Sequence, residues 1–100
     1  MSKTHTPAEA FAPGEYIREE LEARNWTQRD LAAVLHRPIQ AVNEIVRGRK
    51  RITAETAKEL AAAFGTSADL WMNLEVAYQL SKAKDPDPGI AKRASELQEA

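Results

Sequence analysis

The amino-acid sequence predicts an all-α domain of five helices, followed by a short C-terminal extension for which helix and disorder both stay open. Three observations support this fold class. Apolar residues recur every three or four positions, as at Ala57, Leu60, Ala61 and Phe64, which places them on one helix face. Start and stop signals for helices lie between these segments. No run alternates between apolar and polar residues as strands require.

The first two helices are predicted from spacing and capping. Ile17 and Leu21 are four apart and share one face of a helix that begins after a Pro-Gly pair. Thr27 and Asp30 start the second helix, because a capping threonine accepts from the amide three residues on and the acidic residue favours the positive helix end. The segment 36–38 ends this helix, because the residue before a proline is pushed out of helical geometry.

Similar signals delimit the other three helices. Pro38 suits the first turn of a third helix, which runs to about Arg47 and has Gly48 for a left-handed end. Thr53 caps the fourth helix, and Thr66 with Asp69 repeats the start signal for a fifth helix from Ser67 to about Lys82. The chain thus divides into a flexible N-terminal segment (1–12), the helical domain (13–82) and a C-terminal tail, open between helix and disorder (83–100).

Composition narrows the class of protein. The 100 residues are 43% apolar and 29% charged, which is typical of one globular domain. The absence of cysteine excludes a disulfide framework and a cysteine-based metal site. No apolar run approaches the ~20 residues needed to cross a bilayer, and the first residues lack the apolar centre of a signal peptide. We therefore expect a cytoplasmic protein with no membrane partner.

The predicted third helix has two different faces. Val42, Ile45 and Val46 share an apolar face that can anchor a helix this short. The opposite face carries four polar residues, Gln40, Asn43, Glu44 and Arg47. Glutamine and asparagine can pair bidentately with adenine in the major groove of DNA. Together with the preceding short helix and its turn, this segment has the form of a helix-turn-helix unit, whose second helix enters the major groove.

Basic residues cluster around this unit. The segment 24–51 holds seven lysines and arginines against two acidic residues, a charge of +5, while the rest of the chain sums to −6. Thr27 and Gln28 bring the positive end of the second helix to the place where a phosphate would lie. Arg49, Lys50 and Arg51 follow the third helix, where they can neutralise phosphates and release counterions. Double-stranded DNA is therefore the predicted partner.

Two longer stretches resemble known regulators. TQRDLAAVLHRPIQAVNEIVRGRKRIT resembles the helix-turn-helix of phage-repressor-like (lambda-repressor-like, XRE-family) proteins. The longer region 13–82, which also includes FGTSADLWMNLEVAYQL, resembles the HigA antitoxins, also called VapI-like plasmid-maintenance antidotes. This resemblance implies a helix-turn-helix DNA-binding and dimerisation domain, a palindromic operator before the protein's own operon, and a homodimer. It also implies a second partner, a HigB/RelE-like toxin that cuts mRNA and that the antitoxin neutralises.

The resemblance also implies roles for individual residues. By motif position, Ile39, Gln40, Asn43 and Glu44 would face bases, Gln28 would touch phosphate, and Arg47 with the run to Arg51 would bind the backbone. The sequence departs from the family pattern at three positions. His36 replaces the usual turn glycine, Arg37 adds a charge near the DNA phosphates, and Ile39 replaces a residue that is often basic. Glu44 is predicted to have a mixed role, accepting from cytosine or pairing with Arg37 or Arg47.

The fifth helix is apolar around more of its circumference than one small core needs. We expect a twofold dimer interface on it, formed by Trp71, Leu74 and Tyr78. No cofactor, metal site or catalytic group is predicted, because the histidines and glycines are scattered and no His/Cys cluster exists. Two other functions stay open: a stand-alone XRE-family repressor without a toxin, and a helical protein-binding module that does not bind DNA.

Overall fold

The computed structural model describes residues 11–99 and confirms an all-α fold. The described residues form six helices, α1 (Pro13–Arg24), α2 (Gln28–Leu35), α3 (Ile39–Val46), α4 (Ala54–Phe64), α5 (Ala68–Lys82) and α6 (Gly89–Glu99). The predicted N-terminal segment lies outside the described residues except for its last two. The tail that the sequence left open between helix and disorder contains α6.

Helices α1 to α5 surround one hydrophobic core. Ile17, Leu31, Val42, Leu60 and Trp71 are the largest side chains that are almost fully buried in it. These five residues come from five different helices, so the core depends on all five being in place. None of the helices in the described part of the chain is long and apolar enough to span a membrane.

The predicted start signals form as expected at α2 and α4. Thr27 accepts from the amide of Asp30 at 3.1 Å, and the Asp30 carboxylate accepts from the amide of Thr27 at 2.8 Å. Thr53 accepts from the amide of Thr56 at 3.2 Å. His36 takes the left-handed conformation, with φ 59° and ψ 46°, so the turn between α2 and α3 forms without a glycine.

The start of α5 differs from the prediction. Ser67, and not Thr66, caps the helix by accepting from the amide of Leu70 at 3.1 Å. The Thr66 hydroxyl instead accepts from the indole N–H of Trp71 at 2.8 Å. Spacing alone could not distinguish these two roles, because the two hydroxyls belong to adjacent residues just before the helix.

The start of α1 packs closely against the end of α3. Pro13 and Gly14 are both buried. A Cβ atom at Gly14 would collide with the backbone carbonyl of Val46, so only glycine allows this approach. The contact holds the C-terminal end of α3 against α1 and thereby helps to set the position of α3.

Candidate DNA interface

Helix α3 is oriented with its apolar face inward. Val42, Ile45 and Val46 are 2%, 8% and 4% exposed, whereas Gln40 is exposed and Asn43 is half-buried at the rim of that face. The polar face therefore points away from the core. Ile39 lies at the N-terminal end of α3 and is 39% exposed, so its side chain is available for apolar contact.

Two amide side chains connect α3 to α2. The Asn43 Nδ2 group donates to Gln28 Oε1 at 3.1 Å. Each amide has further hydrogen-bonding capacity, since the Gln28 NH₂ group and the Asn43 carbonyl oxygen take no part in this bond. The bond reduces the freedom of both side chains, so they are oriented before any ligand binds.

The start of α2 lies beside this amide pair. The capping box uses the amides of Thr27 and Asp30. The backbone amides of Gln28 and Arg29 lie in the first turn, where amides have no acceptor within the helix, and they add to the positive end of the helix dipole. Gln28 thus stands where an anion is electrostatically favoured.

A shallow crevice next to the amide pair contains a basic residue that the sequence interpretation missed. Arg18 of α1 and Arg47 line it together with Gln28 and Asn43, and its volume is about 340 Å³. Arg18 lies among the acidic residues of α1, so no local charge pattern indicated it. The packing of α1 against the helix-turn-helix places Arg18 at this surface.

A short loop after α3 holds the three consecutive basic residues in the open. Gly48 is left-handed with φ 78°, and the amides of Arg49 and Lys50 donate to the Glu44 carbonyl at 2.8 and 3.3 Å. Arg49, Lys50 and Arg51 are all exposed. The Glu44 carboxylate lies 3.7 Å from Lys50 Nζ, so its ion-pair partner is Lys50 and not the predicted Arg37 or Arg47.

A buried carboxylate attaches this loop to α5. Glu75 is only 6% exposed, and its Oε1 accepts from the amide of Ile52 at 2.8 Å. Its Oε2 accepts from Gln79 Nε2 at 2.6 Å. Because the amide that it binds comes directly after Arg51, Glu75 determines where the basic loop leaves the core. The sequence interpretation missed this role, since the partners are 23 residues apart.

Arg37 does not stand free at the surface. Its Nε and Nη2 donate to the two carboxylate oxygens of Glu59 at 2.7 and 2.9 Å. The hydrogen bond with Glu59 raises the pKa of Arg37 above its ordinary value. This bidentate pair occupies one edge of the guanidinium and competes with a phosphate for it, so the phosphate role of Arg37 stays a prediction.

The predicted dimer residues of α5 do not form one exposed patch. Trp71 is 1% exposed and packs with its ring 5.9 Å from that of Phe64, so it cannot contribute surface to a dimer, and this assignment is wrong. Leu74 packs partly against the core, and the ring of Tyr78 is covered by Lys82 Nζ at 4.8 Å. Both are half-buried.

The exposed apolar residues of α5 lie elsewhere on the helix. Val76 and Leu80 are 50% and 71% exposed, and Met72 is half-buried in line with them. At spacings of four residues these side chains form one flank of α5. Leu74 lies on the other side of the helix, so the surface available for association differs from the predicted one.

Comparisons with known proteins agree with this geometry. A helix-turn-helix family model matches residues 17–71. Virulence-associated protein I of Dichelobacter nodosus is 40% identical over 82 residues, covering 81% of this chain and 76% of that protein.

Two solved structures that contain DNA are similar throughout. Pseudomonas aeruginosa PA4674 in complex with its operator DNA is 33% identical with a TM-score of 0.73, covering 86% of this chain and 94% of that one. The Pseudomonas aeruginosa antitoxin HigA with the higBA promoter is 32% identical with a TM-score of 0.70, covering 91% and 94%.

Proposed function

The chain belongs to the helix-turn-helix family, and from that premise we propose that it is an antitoxin that binds an operator before its own operon as a homodimer. In the same proposal it binds and neutralises a RelE-like, mRNA-cleaving toxin. The family consists of DNA-binding regulators and not of enzymes. The observation that supports DNA binding best is the outward amide face of α3, held by its buried apolar face beside a basic loop.

The amide face would read bases in the major groove. Gln40 is free to reach base edges, and Asn43 keeps a carbonyl acceptor and one N–H after bonding Gln28. Ile39 would contact a thymine methyl group. Glu44 lies close to Lys50, so it would position that lysine as well as accept from cytosine.

The surrounding groups would bind the phosphate backbone. At the start of α2, Thr27 and Gln28 would place amides and a side-chain NH₂ group against one phosphate. Arg18 and Arg47 line the crevice beside Gln28 and would neutralise the adjacent charge. The basic loop would bind the flanking phosphates, which makes affinity depend on salt.

Substitution of the amide face tests the DNA-binding part. Gln40→Ala combined with Asn43→Ala should weaken binding to the DNA upstream of the gene by tenfold or more, since each bidentate pair contributes ~1–3 kcal/mol of discrimination. Footprinting and anisotropy titration measure this. Lys92→Ala combined with Ser95→Ala, which truncates two exposed polar side chains of α6, is the matched control and should bind as the unaltered protein does. If the double variant binds the operator as tightly as the unaltered protein, α3 does not read bases.

The toxin-binding part rests on the HigA-like neighbour and needs its own test. Co-expression with the adjacent reading frame and affinity purification should recover a small basic ribonuclease in stoichiometric amount. Its mRNA cleavage should stop when this protein is present. Specific operator binding without any co-purifying toxin would identify a stand-alone repressor instead.

A further inference from the structure

Helix α6 buries none of its residues against the part of the chain that the structure describes. None of its residues lines the two crevices beside α5. The molecule measures 60 × 28 × 22 Å, far from the compact shape of a domain this size. Helices of 11 residues are marginally stable in water unless they bury one face. This helix therefore needs a surface to pack against.

The side chains of α6 are arranged for such packing. Ile90, Ala94 and Leu97 recur at i, i+4 and i+7 and form one apolar stripe, in which Ile90 is 53% and Leu97 78% exposed. The start of the helix is held locally, because the Asp87 carboxylate accepts from the Gly89 amide at 2.9 Å and from Arg93 at 3.1 Å. These bonds hold the first turn of α6, while Ile90 and Leu97 of the apolar stripe are exposed.

A complementary surface exists on α5. Met72, Val76, Leu80 and Ala83 line an open groove of about 680 Å³ whose rim includes Arg51. The exposed flank of α5 described above forms its floor. No described residue of α6 reaches this groove. The same chain therefore carries an unfilled apolar groove and an unpacked apolar helix.

The linker between α5 and α6 begins in an extended conformation. Ala83 has φ −72° and ψ 148°, which directs the chain outward at the end of α5. Asp85 and Asp87 both precede prolines, which favours extended conformations at each. A stretch of six residues spans at most ~20 Å when extended, enough to reach a neighbouring molecule.

We propose that α6 of each protomer packs its apolar stripe into the α5 groove of a second copy of this chain. A twofold arrangement fills both grooves and both stripes at once and leaves no free end for further association. The inference rests on the homodimer of the proposed function and states which surfaces form it. It replaces the predicted interface, since the groove lies on the flank of α5 away from Leu74.

Engineered cysteines test the exchange directly, because the chain has no cysteine of its own. Leu97→Cys and Val76→Cys proteins, full-length and differently tagged, are co-expressed and oxidised mildly. The exchange predicts covalent heterodimers in at least tenfold excess over the pair Lys92→Cys with Val76→Cys, where residue 92 lies on the opposite face of α6. Equal yields for the two pairs would overturn the proposal.

A double variant separates exchange from folding back. Leu97→Cys combined with Val76→Cys in one chain should give covalent dimers upon oxidation. If oxidation instead gives monomers with an internal disulfide at every protein concentration, α6 packs on its own α5 and the proposal is overturned.

Sedimentation provides an independent readout. Leu97→Asp should shift the dimer toward monomer by tenfold or more in dissociation constant, while Lys92→Asp should not. Both residues are exposed in the protomer, so neither change disturbs its core. An unchanged dimer for Leu97→Asp that still binds the operator would overturn the exchange and leave the proposed function standing. Failure of the unaltered protein to bind operator DNA would instead reject the proposed function.

Discussion

Replacing the three consecutive basic residues of the loop by alanine should change the salt dependence of DNA binding in a calculable way. Arg49, Lys50 and Arg51 are all exposed, and within residues 11–99 the ion pair seen for this run is that of Lys50 with Glu44 at 3.7 Å. Each phosphate neutralised on duplex DNA adds ~0.9 to the slope of log affinity against log salt. Three contacts in each half-site of a dimer therefore correspond to a slope difference of about 5.

The difference is large enough to measure by fluorescence anisotropy. Between roughly 50 and 200 mM salt the unaltered protein should lose roughly a thousandfold more affinity than the triple alanine variant. The control is Lys58→Ala with Lys84→Ala and Lys92→Ala, which removes the same number of charges from exposed positions elsewhere. The control should keep most of the original slope.

Two results would refute this reasoning. A slope that is unchanged or steeper in the triple variant would mean that the loop does not neutralise phosphates. A control variant that flattens the slope equally would mean that net charge matters and that the loop's position does not. In either case the basic loop does not contact the DNA backbone as described, even if the protein still binds DNA.

Three further predictions follow from individual contacts. Gly14→Ala should destabilise the fold by ~1–3 kcal/mol in urea unfolding, because the new methyl group meets the carbonyl of Val46; unchanged stability would show that the two backbones separate easily. Glu75→Ala should lower the free energy of unfolding by ~1–3 kcal/mol, because it leaves the buried amide of Ile52 without an acceptor. Glu75→Gln keeps an acceptor oxygen and should lower it clearly less. Equal losses for the two variants would contradict the role of that bond. Glu59→Ala should release Arg37 to bind a phosphate and steepen the slope of log affinity against log salt by ~0.9 per protomer. The free energy of unfolding should fall by less than ~1 kcal/mol, because the pair is about a third exposed. An unaltered slope would place Arg37 away from the DNA.

Local interactions explain how much of the candidate site the sequence predicts. The capping box at Thr27 and the left-handed turn at His36 involve atoms within a few residues of one another, so local sequence specifies them. The outward position of Gln40 follows from a helical repeat in which Val42 and Ile45 are apolar. These features define the helix-turn-helix and its polar face without knowledge of any tertiary contact.

Partners that are distant in sequence were decided only by the tertiary structure. The pairing of Arg37 with Glu59 and of Glu75 with the amide of Ile52 spans 22 and 23 residues, and many other partners were equally compatible with the local sequence. Charge counting therefore could not show that Arg37 pairs with Glu59 or that Arg18 lies beside Gln28 and Asn43.

The same distinction applies to the apolar surface of the fifth helix. Its sequence shows an excess of apolar residues over what one core can hold, but not which of them enter the core. Packing buried Trp71 and left Val76 and Leu80 exposed, because the face of α5 that carries Trp71 packs against Phe64 of α4. Hydrophobic patterning thus determined from sequence alone that a surface would remain uncovered, and three-dimensional packing determined which one it is.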